Sequence, residues 1–372
     1  MPVYAFKAHS YGACDRAIEK ALSPLKLSVG EEVFIKPNFV SKESPSSGIV
    51  TRPYFLSRLI AYLIEYTDVK KIAIGDIPKI GLSPQEVYTA LGVNALNKGR
   101  VRLIDLRHEE KVAIKWKFGW INIPRIALDS FYINVPKLKT HILTGVSLSL
   151  KNQKGLLDDE TKKRFHIMGL HEPIAELARV IAPRLVVVDG IVGIQGTGPG
   201  NTGKKVTSGL VIAGMNSTEV DAACCRLIGF IPENIEHLRI AHSLGLGNLN
   251  SSILGDYSRI PFLGSQAFYR KYNIYVWPSA GACTVCTDIL QEVRRSALRS
   301  PKYFLQLLYY GYLNRLDLLI GKDNSIPMHH GKVICVGDCT RVLAKENNVP
   351  CLKGCPPSAK DFFNVLSTAR HS

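Results

Sequence analysis

Three short stretches near the C-terminus hold the residues best suited to chemistry. "NIYVWPSAGACTVCTDILQEVRR" carries Cys283 and Cys286, "GKVICVGDCTRVLAKENN" carries Cys339, and "VPCLKGCPPSAKDFFNVL" carries Cys355. Each reads as an apolar strand, a Gly-bearing loop with cysteine, and then a helix-forming run. Free N–H groups and the dipole at a helix N-terminus favour a thiolate over a thiol. If the three strands are parallel, all three loops lie at their C-terminal ends, the edge at which open α/β sheets bind ligands. Four thiolates converging there predict a 4Fe–4S cluster, with the glycines letting backbone N–H groups approach its sulfides. Zinc is the alternative, since it also takes four thiolates. Compact zinc ribbons use two close CxxC pairs, however, and this chain has one CxxC and two scattered cysteines. Cys335 and Cys351 lie inside apolar strands and are expected to be buried packing residues, with a reserve role as ligands. Cys14, Cys224 and Cys225 read as structural.

The second group of residues is basic. "INVPKLKTHILTGVSLSLKNQKGLL" places Lys137, Lys139, His141, Lys151, Asn152 and Lys154 at or near the ends of apolar runs, beside Pro136, Thr140 or Gly155. Scattered lysines usually form a solvated face. At strand ends of an α/β sheet they instead suit an anion site, because residues distant in sequence meet at that edge. Lys36 and Asn38 of "IKPNFV" extend the same pattern. His141, or His166 in "RFHIMGLH", is the expected proton carrier near neutral pH. Lys151 belongs with them as a group that acts on bound substrate.

Two motifs in "GTGPGNTGKKVTSGLVI" come close to famous ones. Gly198, Gly203 and Lys204 fit G-x-x-x-x-G-K, but Lys205 stands where the Mg²⁺-binding hydroxyl belongs. Gly198, Gly200 and Gly203 fit G-x-G-x-x-G. Both motifs need a helix directly after the loop, and "KKVTSGLVIAG" reads as a strand. Neither a P-loop nor a dinucleotide fingerprint is present. His329 and His330 are adjacent, so on a strand they cannot share a face for chelation.

The elements that would position these residues alternate between strand-like and helix-like runs, from "EEVFIKPNF" and "RPYFLSRLIAYLIEYT" to "RLVVVDGIVGI" and "TEVDAACCRLIGF". This predicts an α/β fold with a mainly parallel sheet covered by helices. A Gly/Asn/Ser-rich stretch with no clear period sets a domain boundary near residue 265. A larger α/β domain spans 1–265, and a smaller α/β domain, with cysteines in its βα loops, spans 266–372. Length and 46% hydrophobic content fit a soluble globular protein. No apolar run is long enough to span a bilayer. An odd count of nine cysteines, six of them between positions 283 and 355, argues against a disulfide framework. The cytoplasm is the expected compartment. A net charge of +16 favours an anionic partner without saying which.

The chain resembles the domain-of-unknown-function 362 family. The resemblance rests on "IKPNFV", "INVPKLKTH", "SLKNQKGLL" followed by His166, "VVVDGIVGIQGTGPG" and "STEVDAACCRLIGF", and covers roughly residues 30 to 250. It implies that Lys36, Asn38, Lys137, Lys139, His141, Lys151, Asn152, Lys154, His166, Asp189 and Asp221 are motif positions, and it implies an association with iron–sulfur proteins. Many members carry adjacent CxxC ferredoxin repeats, which this chain lacks. Its "GCPP" also looks like a tetrapeptide of cluster-bearing subunits of quinone oxidoreductases and hydrogenases. The resulting expectation is a 4Fe–4S oxidoreductase acting on a small anionic substrate, served by a redox partner protein. The alternatives are a nucleic-acid-binding protein with a structural metal, or a non-redox lyase using the cluster as a Lewis acid. Against nucleic acid, the Lys-rich segment has no interleaved aromatics for base stacking.

Overall fold

The computed structural model describes residues 1–198, 200, 203–270, 273–279, 284–322, 324–355 and 357–368. The chain divides into two compact units, Met1–Lys163 with His171–Phe262, and Arg164–Leu170 with Leu263–Ser372. The division after Phe262 falls inside the Gly/Asn/Ser-rich stretch. That Arg164–Leu170 joins the second unit is a crossing that composition does not reveal.

In chain order the first unit runs β1 (Val3–Lys7), α1 (Cys14–Leu22), β2 (Glu32–Pro37), α2 (Pro53–Tyr66), β3 (Lys71–Ile74), α3 (Pro84–Leu91) and β4 (Val101–Leu103). It continues through β5 (Lys111–Trp116), β6 (Gly119–Pro124), α4 (Arg125–Asp129), β7 (Phe131–Val135), β8 (Lys137–His141), β9 (Gly145–Ser147), α5 (Ser149–Asn152) and α6 (Asp159–Ile167), whose end belongs to the other unit. It closes with α7 (His171–Val180), β10 (Leu185–Gln195), β11 (Lys204–Gly214), α8 (Ser217–Leu227), α9 (Glu236–Ser243) and β12 (Ile253–Leu254).

The large sheet has the order β12-β1-β11-β10-β7-β2-β3-β4, with β8 also on β10 and β9 on β8. From β10 to β4 every neighbour is parallel, while β11 runs antiparallel to both β10 and β1. Pro136 breaks one long run into β7 and β8, both parallel to β10. A strand covered on both faces reads as a continuous apolar run, and β7 is buried along its whole length. So is β8, although it contains Lys137, Lys139 and His141. The helices follow ordinary rules. Pro53 opens α2, where its missing N–H costs nothing. Phe55, Leu56, Leu59, Ile60 and Leu63 then form its buried stripe at helical spacing. Asn216 caps α8 by accepting from Glu219 N at 3.1 Å.

The second unit contains α10 (Ser265–Arg270), β13 (Ile274–Pro278), α11 (Thr284–Arg299), α12 (Pro301–Leu307), β14 (Leu316–Ile320), β15 (Lys332–Val336), α13 (Arg341–Glu346), β16 (Cys351–Leu352) and α14 (Ala359–Thr368). Its sheet is β13-β14-β15-β16, parallel throughout. Among the described residues no helix is long and apolar enough to cross a membrane.

Candidate functional site

The C-terminal ends of β2, β3 and β7, together with β8, gather the basic residues into the interior of the first unit. Register does part of this, since Lys36 lies opposite Asn134 and Lys137 opposite Asp189. Lys36 Nζ is 2.8 Å from Asp76 Oδ1, and Phe39 N donates to Asp76 Oδ2 at 2.7 Å. Lys137 Nζ is 2.7 Å from Asp189 Oδ2 and donates to the Tyr11 hydroxyl at 2.6 Å. Tyr11 in turn donates to Asp189 Oδ1 at 3.0 Å, and Arg52 N donates to Oδ2 at 3.0 Å. Burial, with the Asp189 charge second, pushes the Tyr11 hydroxyl well up, so it stays a donor. Both lysines are fully buried. Taking such ions out of water costs several kcal/mol each, so each pair repays only part of its own expense. Accordingly burial pulls Lys36 and Lys137 down while the facing carboxylate resists, and burial pushes Asp76 up against the pull of Lys36.

The remaining lysines have weaker support. Lys139 Nζ donates to Asn38 Oδ1 and, at 2.8 Å, to Ile49 O, which are neutral acceptors. Burial first, and the Lys137 charge second, pull it down to about 7. Lys162 Nζ donates to Ile77 O at 2.8 Å and Pro78 O at 2.7 Å, and burial pulls it down to about 8. Lys154 is held at about 7 by burial and by Lys162. Lys151 donates no hydrogen bond to any described residue. Burial, then Lys154 and Lys139, hold it far below an ordinary lysine.

Lys151, Asn152 and Lys154 do not sit on strand ends as their apolar context suggests. They lie on α5 and the 3₁₀ turn Gln153–Leu156 that follows it. This segment is tied down at both ends. Asp221 of α8 accepts from Ser149 N and Leu150 N, both at 2.8 Å, at the start of α5. Asn152 Nδ2 donates to Asn134 Oδ1 at 2.7 Å. At Gly155 a Cβ would lie 1.9 Å from Asp76 Oδ1 and 2.5 Å from Lys36 Nζ, so only glycine lets the turn rest on that ion pair. Burial pushes Asp221 up to about 7 against its two backbone donors.

His141 is buried in β8, and its Nδ1 accepts from Leu143 N at 3.1 Å and Thr144 N at 3.3 Å. That bond pattern makes it a brace for the turn into β9 and fixes the other nitrogen as the protonated one. The side chain of His166 lies outside the described residues, and its backbone belongs to α6.

The Gly-rich segment is explained by packing. A Cβ on Gly193 would lie 2.4 Å from Leu138 O, and one on Gly198 would lie 2.4 Å from Thr140 O. Ile142 N donates to Gly198 O at 3.1 Å and Thr140 Oγ1 to Gly196 O at 2.9 Å. The glycines let β8 run against backbone, and Lys204 and Lys205 open β11, as expected of a strand.

In the second unit Cys286 lies in the first turn of α11 and not in a loop. Cys339 follows β15 in a 3₁₀ turn, and Cys355 precedes α14, where both side chains are exposed. Gly337, at φ +93°, is the point where two of them meet. A Cβ there would lie 3.0 Å from Cys286 Sγ and 3.7 Å from both Cys339 Sγ and Gly354 O. The two sulfurs therefore face one spot, and the Gly354 carbonyl brings the chain just before Cys355 to it. A pair of cysteine sulfurs over a glycine backbone fits what a cluster needs from its surroundings. Cys283 lies outside the described residues, and among those described no three ligating side chains gather as a metal group. Cys335 is fully buried and pushed up to about 12 by burial. Cys351, opposite it in register, is only half-buried. The difference follows from position, since β16 is the edge strand.

A family model described as Domain of unknown function (DUF362) matches residues 33–226, just over half of the 372-residue chain. The chain belongs to that family. The DUF362 segment holds the whole basic cluster from Lys36 to Asp221, whereas Tyr11 and the cysteine unit lie outside it. A relative, the thylakoid-associated protein sll1697 of Synechocystis sp., is 25% identical over 224 residues, covering 58% of this chain and 69% of its own. A crystal structure of a Thermotoga maritima protein is 15% identical and covers 48% of this chain. This chain spans 50% of that one, and the TM-score of 0.35 is too low to support any reading.

Sequence reasoning passed over Asp76, Tyr11, Asn134, Lys162, His171 and His237. Asp76 had a usable signal, because "KIAIGDIP" ends an apolar strand in a carboxylate next to a turn. Tyr11 and His237 had none, since their roles depend on which helices and loops pack beside β8 and α5.

Proposed function

We propose that this DUF362 protein is an iron–sulfur oxidoreductase whose larger unit binds a small, multiply charged anion such as a di- or polycarboxylate or a phosphate. The observation that carries the anion reading is Lys151. Its ammonium has no hydrogen-bond partner among the described residues and no facing carboxylate, yet Lys139 and Lys154 crowd it. Carboxylates already pair Lys36 and Lys137, so Lys151 remains for a ligand, with Lys139 on its neutral acceptors beside it. Lys139 and Asn38 would hold one end of that anion and Lys151 the other. Positive groups fixed in a water-poor interior stabilise a substrate that gains negative charge on reduction.

Cys286 and Cys339, with Cys355 and Cys283, would hold a 4Fe–4S cluster. When bound, it would supply one-electron transfer between a redox partner protein and the substrate. An odd count of nine cysteines suits a reducing compartment such as the cytoplasm. Lysines buried this deeply cannot lie along a phosphate backbone, which disfavours the nucleic-acid reading.

Anaerobic purification of the full chain tests the cofactor. A broad visible absorption with about four irons per chain is the expected result. A colourless protein holding zinc refutes it. Thermal unfolding with sulfate, phosphate and citrate against matched sodium chloride tests the anion separately, because a ligand that binds only the folded chain raises its melting temperature.

A further inference from the structure

His237 lies in the first turn of α9 and is fully buried, and neither of its ring nitrogens has a hydrogen-bond partner among the described residues. A neutral imidazole offers one donor and one acceptor. Leaving both unmade in an interior forfeits their hydration with nothing in return. The His171 ring, at the start of α7, lies against it with centroids 5.6 Å apart and planes at 33°. His171 Nε2 is 3.5 Å from Glu236 Oε2, whose side chain is 42% exposed. Lys151 acts electrostatically on both imidazoles. Gln153, two residues beyond Lys151, is also fully buried with both amide atoms unpartnered among the described residues, on a turn that packs against α7. Unsatisfied polar side chains are thus concentrated where α5, α7 and α9 meet.

The other charged groups on these elements are mostly engaged. Glu172 pairs with Lys117, and Glu176 with Arg179 at 3.1 Å. Asp221 on α8 holds the start of α5. Arg239 on α9 opposes a charge on His171 and Glu236 favours one. Glu233 precedes α9, and Lys111 and Lys115 lie on β5, which packs on α7.

We propose that the imidazole pair flanks the Lys151 anion site, and that a small dianion enters it together with protons taken up by Lys151, His171 and His237. This rests on the anion reading above and adds its proton stoichiometry and its neighbours. In the empty protein all three groups are held below their ordinary values, by burial first and by positive neighbours after it. An anion reverses the second influence. The protons come from solvent, with the half-exposed Glu236 as the carboxylate nearest the pair. They remain on nitrogen, so no bond within the anion is made or broken. His171 and His237 thereby take the proton-carrying role that the sequence assigned to His141 or His166.

The test is sulfate titration calorimetry on the full chain, repeated in buffers of different ionisation enthalpy. Sulfate stays a dianion at neutral pH, so every proton counted is the protein's. About one or more protons should be taken up per sulfate, and affinity should fall about tenfold per pH unit for each proton coupled. His171→Gln and His237→Gln should lower the proton count while sulfate still binds. Lys151→Met should abolish binding. In the sulfate-free protein, Lys151→Met should also make the His237 and His171 imidazole resonances titrate at higher pH, a response that a merely packed histidine would not give. Sulfate binding without proton uptake, an unchanged count in both histidine variants, or no upward shift on Lys151→Met overturns the proposal and leaves the anion reading standing. A wild-type chain that binds no sulfate overturns the anion reading and this proposal with it.

Discussion

Gly155→Ala is the most economical test of how the basic cluster is built. The added methyl would lie 1.9 Å from Asp76 Oδ1, 2.5 Å from Lys36 Nζ and 2.8 Å from Lys36 Cε. None of these atoms can swing away into solvent, because the Lys36 and Asp76 side chains are 0% and 3% exposed. Asp76 is also tethered by Phe39 N at 2.7 Å. Either the turn lifts off or the ammonium and carboxylate separate. Breaking a buried pair costs about 3–5 kcal/mol, because each partner is left charged without compensation. Gly155 lacks the positive φ of the strained glycines, so alanine should return about 0.4–1 kcal/mol by restricting the unfolded chain. The net loss is about 2–4 kcal/mol. At about 2–4 °C per kcal/mol for a unit of this size, the melting temperature should fall by about 10 °C. Thermal unfolding followed by circular dichroism measures this. Gly12→Ala is the control, since its Cβ would meet nothing nearer than Ser10 Oγ at 3.6 Å. If Gly155→Ala melts within about 2 °C of wild type, the turn does not rest on the ion pair and the site geometry is wrong.

Asp189→Asn leaves Lys137 buried opposite a neutral amide and should cost about 3–5 kcal/mol, read as a lower urea midpoint; an unchanged midpoint would contradict the pairing. Cys286→Ser and Cys339→Ser should each remove iron and visible absorption from anaerobically purified protein, whereas Cys335→Ser should keep both; loss of iron in all three alike would relocate the centre. Stability should rise from pH 7 to about 8.5, because Lys139 and Lys154 at about 7 and Lys162 at about 8 bind fewer protons folded than unfolded over that interval. Above about 8.5 the buried thiols Cys14 and Cys335, pushed up to about 12, oppose the rise because only the unfolded chain releases their protons. A melting temperature that is flat or falling between pH 7 and 8.5 would refute the buried lysine assignment.

The parallel sheets were legible because β2, β7, β10, β13 and β15 are apolar runs of strand length separated by helical stripes, whereas β14, between β13 and β15, went unread. Lys36 lies near the end of β2, whereas Lys137 opens β8 and Lys139 lies in its middle. The path of "SLKNQKG" was not legible. Its lysines are expected at the end of an apolar, strand-like run, but Asp221, contributed from α8 some seventy residues later, accepts both N–H groups at its start and makes it a helical turn. Local sequence carries no trace of a cap supplied from elsewhere. The same holds for Cys286. It reads as part of a Gly-bearing loop, whereas α11 already begins at Thr284. Gly198 belongs to the near-miss phosphate motifs that the following strand excludes, and what Gly193 and Gly198 admit is the backbone of β8.

Two kinds of buried lysine therefore stand side by side, and they do different things. Lys36 and Lys137 each face a carboxylate, so each pair contributes no net charge and serves to anchor strand ends against the turns beside them. Lys139 and Lys162 donate to neutral acceptors, and together with Lys154 they sit at about 7 to 8, where ammonium and amine are both populated near neutrality. A site built from fixed cations would repel itself whenever empty. One built from half-protonated amines lowers its own charge when empty and raises it when an anion arrives. The arrangement thus tolerates vacancy and still meets a dianion with full charge. That is a physical reason to fill such a pocket with desolvated lysine instead of arginine, which cannot give up its proton.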